Sequence, residues 1–214
     1  MERGLRNSCM KLGNSILVCF LFLLLAASGR PDRPLDQVRN TADKVIAILT
    51  DPNLQGDAKR TERHRLLRQE LEERFDWTTI CRSCLGRHWS SLTRDQQREF
   101  MELFKQFLER TYLDRIEPYY NELDHIDYQG ERILDSDYAS VKTLVVTKQK
   151  IDHPVEYRLQ KASSGNWRVY DVVIEGVSLV RNYRTQFDEI ITKSSYQGLV
   201  NDLKAKTSAS AHPG

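Results

Sequence analysis

Four strand-like segments lie in succession near residues 124–132, 138–150, 155–161 and 167–175, with no helical stretch between them. Val155, Tyr157 and Leu159 alternate with Glu156, Arg158 and Gln160, the pattern of a strand with one wet face. Ser163-Ser164-Gly165-Asn166 is a turn leading to a returning strand that begins at Trp167. Parallel neighbours need a crossover of a dozen or more residues, so connections this short dictate an antiparallel sheet.

Helical periodicity brackets the sheet on both sides. Leu35, Val38, Ala42, Val45, Ile46 and Leu49 recur at spacings of three and four, in a helix started by Pro34 and stopped before Pro52. A second helix is expected over 61–75. Asp76 can cap a short third one carrying Trp77, Ile80, Cys81, Cys84 and Leu85, which Gly86 would end. Thr93-Arg94-Asp95-Gln96 reads as a capping box opening a long helix, with Phe100, Leu103, Phe104, Phe107, Leu108 and Tyr112 on one face. After Gly176, Ser178 can cap a helix through Val180, Tyr183, Phe187, Ile190 and Ile191, and a short last helix holds Leu199, Val200 and Leu203. Helices before and after an antiparallel sheet make an α+β domain of about four strands. The order excludes a parallel βαβ dinucleotide fold, and no Gly-rich phosphate loop is present.

The N-terminus has a different character. Arg3, Arg6 and Lys11 precede an unbroken apolar run from Ile16 to Ala27, followed by Ala26-Ala27-Ser28 as small residues for a peptidase. Twelve apolar residues suit an export signal and fall short of the ~20 that span a bilayer. Residues 1–28 are therefore expected to be a cleaved signal peptide, 29–206 one domain, and 207–214 a flexible tail. The net charge of the 214-residue chain is +2, which Glu2, Arg3, Arg6 and Lys11 supply. The exported part is near neutral, which argues against nucleic acid as a partner.

Candidate chemistry is sparse. Cys81 and Cys84 are the only cysteines outside the signal, and they could pack as small buried residues, close a local disulfide or form a thiol-redox centre. Leu85 follows them where haem attachment would require His, and a Cys81/Cys84/His88 metal site lacks a fourth ligand. The histidines His64, His88, His125, His153 and His212 show no triad spacing, and no paired carboxylates stand out. No enzyme activity, metal or cofactor is expected.

The stretch from Asn166 to Ser178 resembles the signature of the MlaC family, periplasmic lipid-binding partners of an ABC transporter, also called toluene-tolerance auxiliary proteins. Its strand of the type W-x-x-Y-D-x-x-x-E-G-V-S falls here on Trp167, Tyr170, Asp171, Glu175, Gly176, Val177 and Ser178. Phe75-Asp76 and Leu85-Gly86-Arg87-His88-Trp89 are similar to a second family segment, followed by the long aromatic helix. Cys81 and Cys84 depart from the family pattern and take no family role.

The resemblance implies a twisted antiparallel sheet and helices enclosing an apolar pocket for phospholipid acyl chains, with the headgroup near the surface. It also implies a monomeric periplasmic carrier in a Gram-negative bacterium. Its partners would be an inner-membrane ABC transporter complex with a lipid-binding ring subunit and an outer-membrane lipoprotein–porin complex. Periodicity makes Phe100, Phe104, Phe107, Val145, Tyr157, Leu159, Trp167, Val169 and Val173 the candidate lining, with Gly176 and Val177 near the mouth. On the residues alone, a non-carrier interaction module and a CxxC thiol-redox protein stay open.

Overall fold

The alternating segments pair as a meander. The computed structural model describes residues 33–113 and 122–208, so the expected signal peptide and most of the expected tail lie outside the described residues. Strands β1 (Leu123–Ile133), β2 (Tyr138–Thr147), β3 (Asp152–Lys161), β4 (Trp167–Ile174) and β5 (Val177–Ser178) form one antiparallel sheet in sequential order. The fifth strand is the addition to the four read from sequence. Glu175 and Gly176 between β4 and β5 both have positive φ, 51° and 83°, the backbone that a tight two-residue hairpin demands. The expected strand-to-helix turn is thus a small hairpin, from which Ser178 still caps the following helix by accepting from the Arg181 amide at 3.1 Å.

The helices are α1 (Pro34–Thr50), α2 (Arg60–Arg74), α3 (Trp77–Leu85), α4 (Arg94–Leu108), α5 (Leu179–Ser194) and α6 (Tyr196–Ser208). The last runs two residues into the segment read as tail. Asp76 caps α3 by accepting from Thr79 at 3.0 Å, and Thr93 and Gln96 close the capping box of α4. Beyond Leu108 the helix widens into a π-turn, Glu109–Leu113. Gly86 ends α3 at φ 53°, where a Cβ would stand 2.8 Å from the Arg184 guanidinium.

Three buried clusters follow, two large ones and a small one in which Leu49 of α1 meets Leu67 of α2. In the first, Phe100 and Phe104 of α4 are fully buried against Tyr183 and Phe187 of α5, with Cys81, Cys84 and Leu85 of α3 and Leu199 and Leu203 of α6. Ring centroids in this aromatic group lie 5.1–5.7 Å apart for the edge-on pairs of Phe100 and Phe104 with Tyr183 and Phe187, within the range aromatic pairs prefer. In the second core, Val38 of α1 packs on Ala139, Val141, Leu159, Trp167 and Val169 of the sheet.

The start of α1 is pinned to the sheet. The Leu35 amide donates to Glu131 at 2.8 Å, and the Trp167 amide donates to the Gln37 side chain at 3.0 Å. Arg74 of α2 donates both to that Gln37 oxygen and to the Trp167 carbonyl, joining α1, α2 and β4 at one point.

One irregularity in β4 decides which residues face these helices. Leu159 pairs with Val169, yet Arg158 pairs with Asp171, so Tyr170 is an extra residue forming a β-bulge. Residues directly opposite each other share a face. Past the bulge it is therefore Val172, opposite Tyr157, and Ile174, opposite Val155, that continue the face begun by Trp167 and Val169. Val173 falls on the opposite face, opposite Glu156.

Candidate functional site

The face of the sheet beneath α1 and α2 is filled at one end and hollow at the other. Where α1 is pinned, Val38, Leu159 and Trp167 close the gap. Farther along, Val45, Ile46 and Leu49 of α1, Leu71 and Phe75 at the end of α2, Val145, Tyr157, Val172 and Ile174 of the sheet surround a cavity of about 1820 Å³. Small-molecule pockets hold ~300–1,000 Å³. At ~30 Å³ per water-sized group, this one has room for about sixty such groups.

Its floor and its rim differ in chemistry. The residues just named are apolar apart from the Tyr157 hydroxyl, which burial pushes up to about 12 and so keeps neutral. Charged groups come mainly from α2 and from α4 and its end, among them Arg60, His64, Arg65, Arg68, Glu72, Lys105, Glu109 and Arg110, with Asp124 and His125 added by β1. Most of the cations on this wall hold a carboxylate. Arg68 makes a two-point contact with Glu109 at 2.9 and 2.5 Å, Lys105 reaches Glu72 at 2.8 Å, and Arg65 reaches Glu62 at 2.8 Å. Among the described residues, two buried donors in the lining have no acceptor, the Trp77 indole Nε1 and Arg110 Nη1. Each such group costs about 1–3 kcal/mol until an acceptor reaches it. Among the described residues, no group of three or more His, Cys, Asp or Glu could hold a metal ion.

The cavity brings together some of the residues expected from periodicity and not others. Val145, Tyr157 and Val169 line it. Phe100, Phe104 and Phe107 lie in the aromatic core among the helices; Phe107 stacks on Phe104 and meets Tyr183 edge-on at 5.8 Å. Leu159 and Trp167 are buried in the sheet core, and Val173 is turned to the other face by the bulge. Gly176 and Val177 sit in the hairpin between two lining residues, Ile174 and Leu179, and Val177 is 56% exposed. The α1 residues that form much of the wall carried a signal in their apolar stripe. The α2 contribution carried little beyond Leu66, Leu67 and Leu71, because that helix is charged along most of its length.

Cys81 and Cys84 are free thiols in the helical core. Burial pushes Cys81 up to about 12 and raises Cys84 as well, so both stay protonated and are poor nucleophiles at neutral pH.

The family model described as MlaC protein matches residues 39–205, which include every strand and nearly every helix that builds this cavity. The chain belongs to the MlaC family. A relative of this MlaC-family chain, the intermembrane phospholipid transport system binding protein MlaC of Haemophilus influenzae, is 23% identical over 126 residues. That match spans 58% of this chain and 58% of the relative's own length. Among solved structures, a phospholipid-binding protein from Ralstonia solanacearum in complex with a phospholipid is similar at 29% identity with a TM-score of 0.74. The similarity covers 85% of this MlaC-family chain and 100% of that one.

Proposed function

We propose that this protein is a phospholipid carrier of the space between two membranes, enclosing the acyl chains of its cargo in the cavity between α1, α2 and the sheet. The observation that carries the reading is the cavity itself: large, floored by aliphatic and aromatic side chains, and rimmed by charge. Burying an acyl chain contributes ~0.8 kcal/mol per methylene, so a lipid leaves a bilayer only for a site that covers nearly all of its chains. Room for about sixty water-sized groups accommodates the roughly thirty-odd methylenes of two long chains with space for part of the headgroup. Membership of the MlaC family and the likeness to a phospholipid complex support the choice of cargo.

In this reading Val145, Tyr157 and Val169 contact the chains, together with Val172, Ile174 and the α1 stripe. Gly176 and Val177 form part of the mouth. Phe100, Phe104, Phe107, Leu159, Trp167 and Val173 hold the surrounding frame. Removal of residues 1–28 frees the domain in the periplasm, where it exchanges lipid with an inner-membrane ABC transporter complex and an outer-membrane lipoprotein–porin complex.

Native mass spectrometry and lipid extraction of the exported, purified protein test the proposal. Phospholipid in near-stoichiometric amount is expected. A protein that carries no lipid, and takes none from vesicles, would be a non-carrier interaction module instead.

A further inference from the structure

We infer that the first half of α5 and the end of α3 beside it form a surface that rests on an anionic lipid bilayer, next to the mouth of the cavity. This rests on the carrier reading above and adds to it the place where the protein meets a membrane.

The feature that points there is a group of arginines with too few carboxylates. The helices α3 and α5 run alongside each other: the Cys84 thiol lies 3.9 Å from the Val180 carbonyl, Arg184 stands over Gly86, and Arg87 and His88 both reach Asp188, at 2.9 and 2.8 Å. Arg181 and Arg184 lie one turn apart on α5 with Asp188 a turn further on, and Arg82 of α3 lies one turn before Gly86. All four arginines are exposed. Asp188 is held by Arg87, and among the described residues no carboxylate pairs with Arg82, Arg181 or Arg184. Four cations against one carboxylate leave an excess of three, and Glu175 at the margin lowers it to two with the imidazoles neutral. The exported part of the chain is near neutral as a whole, so this excess is a local one.

Apolar side chains border the arginines on the cavity side. Leu179, at the head of α5, lines the cavity, and Val177 just before it is exposed. Ile151, at the tip of the neighbouring hairpin, is 55% exposed, and His153 and Glu175 tie that hairpin to the β4–β5 turn at 2.7 Å. Charge on the Ile151 turn balances, with Lys150 held by Asp124 and Lys148 offset by Asp152. Protein contacts concentrate their energy in aromatic and arginine anchors packed into pockets. Here the arginines are spread along two helices and the apolar groups are two aliphatic tips, the pattern of attachment to a lipid surface. The position gives the attachment a use. With Val177 in the headgroup layer, an acyl chain passes between bilayer and cavity with less of its length in water.

The test is co-sedimentation of the exported, purified protein, holding the lipid it carries, with vesicles of equal phosphatidylglycerol and phosphatidylcholine and with vesicles of phosphatidylcholine alone. Binding to the anionic vesicles is expected to be about twentyfold tighter at low salt, each uncompensated cation supplying about fivefold, and to lose that preference at about 0.5 M salt. Arg181→Gln with Arg184→Gln should remove most of the preference. Arg181→Lys with Arg184→Lys should keep it, because a lipid surface reads charge rather than the shape of a guanidinium. Arg132→Gln with Lys142→Gln takes the same charge from exposed positions on β1 and β2, at the opposite edge of the sheet, and should leave it unchanged. Equal binding to both vesicles, or a preference that persists at high salt, overturns the inference on the wild type alone. A preference that the glutamine pair on α5 leaves intact overturns it too, as does an equal loss in the β1–β2 pair, which would reduce the effect to net charge. None of these outcomes touches the carrier reading, which stands or falls with the lipid extracted from the same preparation.

Discussion

Asp171 should be the most sensitive polar residue of the sheet. Its side chain is 4% exposed and accepts three hydrogen bonds, from the Ser178 hydroxyl at 2.7 Å, the Val180 amide at 3.1 Å and Arg158 at 3.1 Å. The Arg158 end is about one-third exposed, so that arm contributes little beyond ~1 kcal/mol. The larger effect of Asp171→Ala is to strand the Ser178 hydroxyl and an amide of the first turn of α5, both part-buried, at about 1–2 kcal/mol each. The sum, about 3–5 kcal/mol, is a large part of the ~5–15 kcal/mol by which a domain of this kind is folded. Asp171→Asn keeps one acceptor oxygen and should lose roughly half as much. Urea unfolding followed by far-UV circular dichroism reads the change. With a slope of about 2 kcal/mol per molar, the midpoint for Asp171→Ala should fall by about 2 M at unchanged slope. A midpoint within ~0.5 M of the wild type would mean that Asp171 does not hold α5 to β4, and the reasoning would fail.

Val177→Glu should leave the stability within ~0.5 kcal/mol of the wild type, because the side chain is more than half exposed, while slowing lipid uptake from vesicles by placing a charge beside the apolar lining residues Ile174 and Leu179. Normal uptake by that variant would remove Val177 from the mouth. Cys81 and Cys84 should react with a thiol reagent very slowly in the folded protein at pH 8 and at once in denaturant, since burial both covers them and keeps them protonated. Rapid labelling of the folded protein would revive the thiol-redox reading.

The local signals in the chain were legible where a single residue type does a single job. Asp76, the Thr93–Gln96 box and Ser178 cap the helices they were expected to cap. The stripe of Phe100 and Phe104 is as buried as its spacing demanded. Spacing reports that a face is out of water and is silent on what covers it, and here the aromatic side chains of α5 cover those rings rather than a ligand. The floor of the cavity was harder to read for a different reason. A strict two-residue alternation puts Val173 with Val169, but the extra residue at Tyr170 reverses the alternation and substitutes Val172 and Ile174. Nothing in a run such as Val-Tyr-Asp-Val-Val-Ile marks where a bulge falls, because apolar side chains stand at both parities. The charged rim escaped for the complementary reason: Arg68 and Glu109 are 41 positions apart and meet only in three dimensions.

None of the buried side chains in the aromatic core touches the cavity, and this separation shapes what the molecule can withstand. A vessel whose rigidity came from its contents would slump when emptied and would present a different outline afterwards. Here the keel of α3, α4, α5 and α6 is laid apart from the hold, braced to β4 through Asp171. Unloading strips contacts mainly from α1, α2 and the sheet face, and otherwise only from the border of the helical group, at Trp77, Leu179 and the end of α4. The strain of an empty voyage falls mainly on two helices, so those two, rather than the whole hull, are where loaded and unloaded forms should differ most.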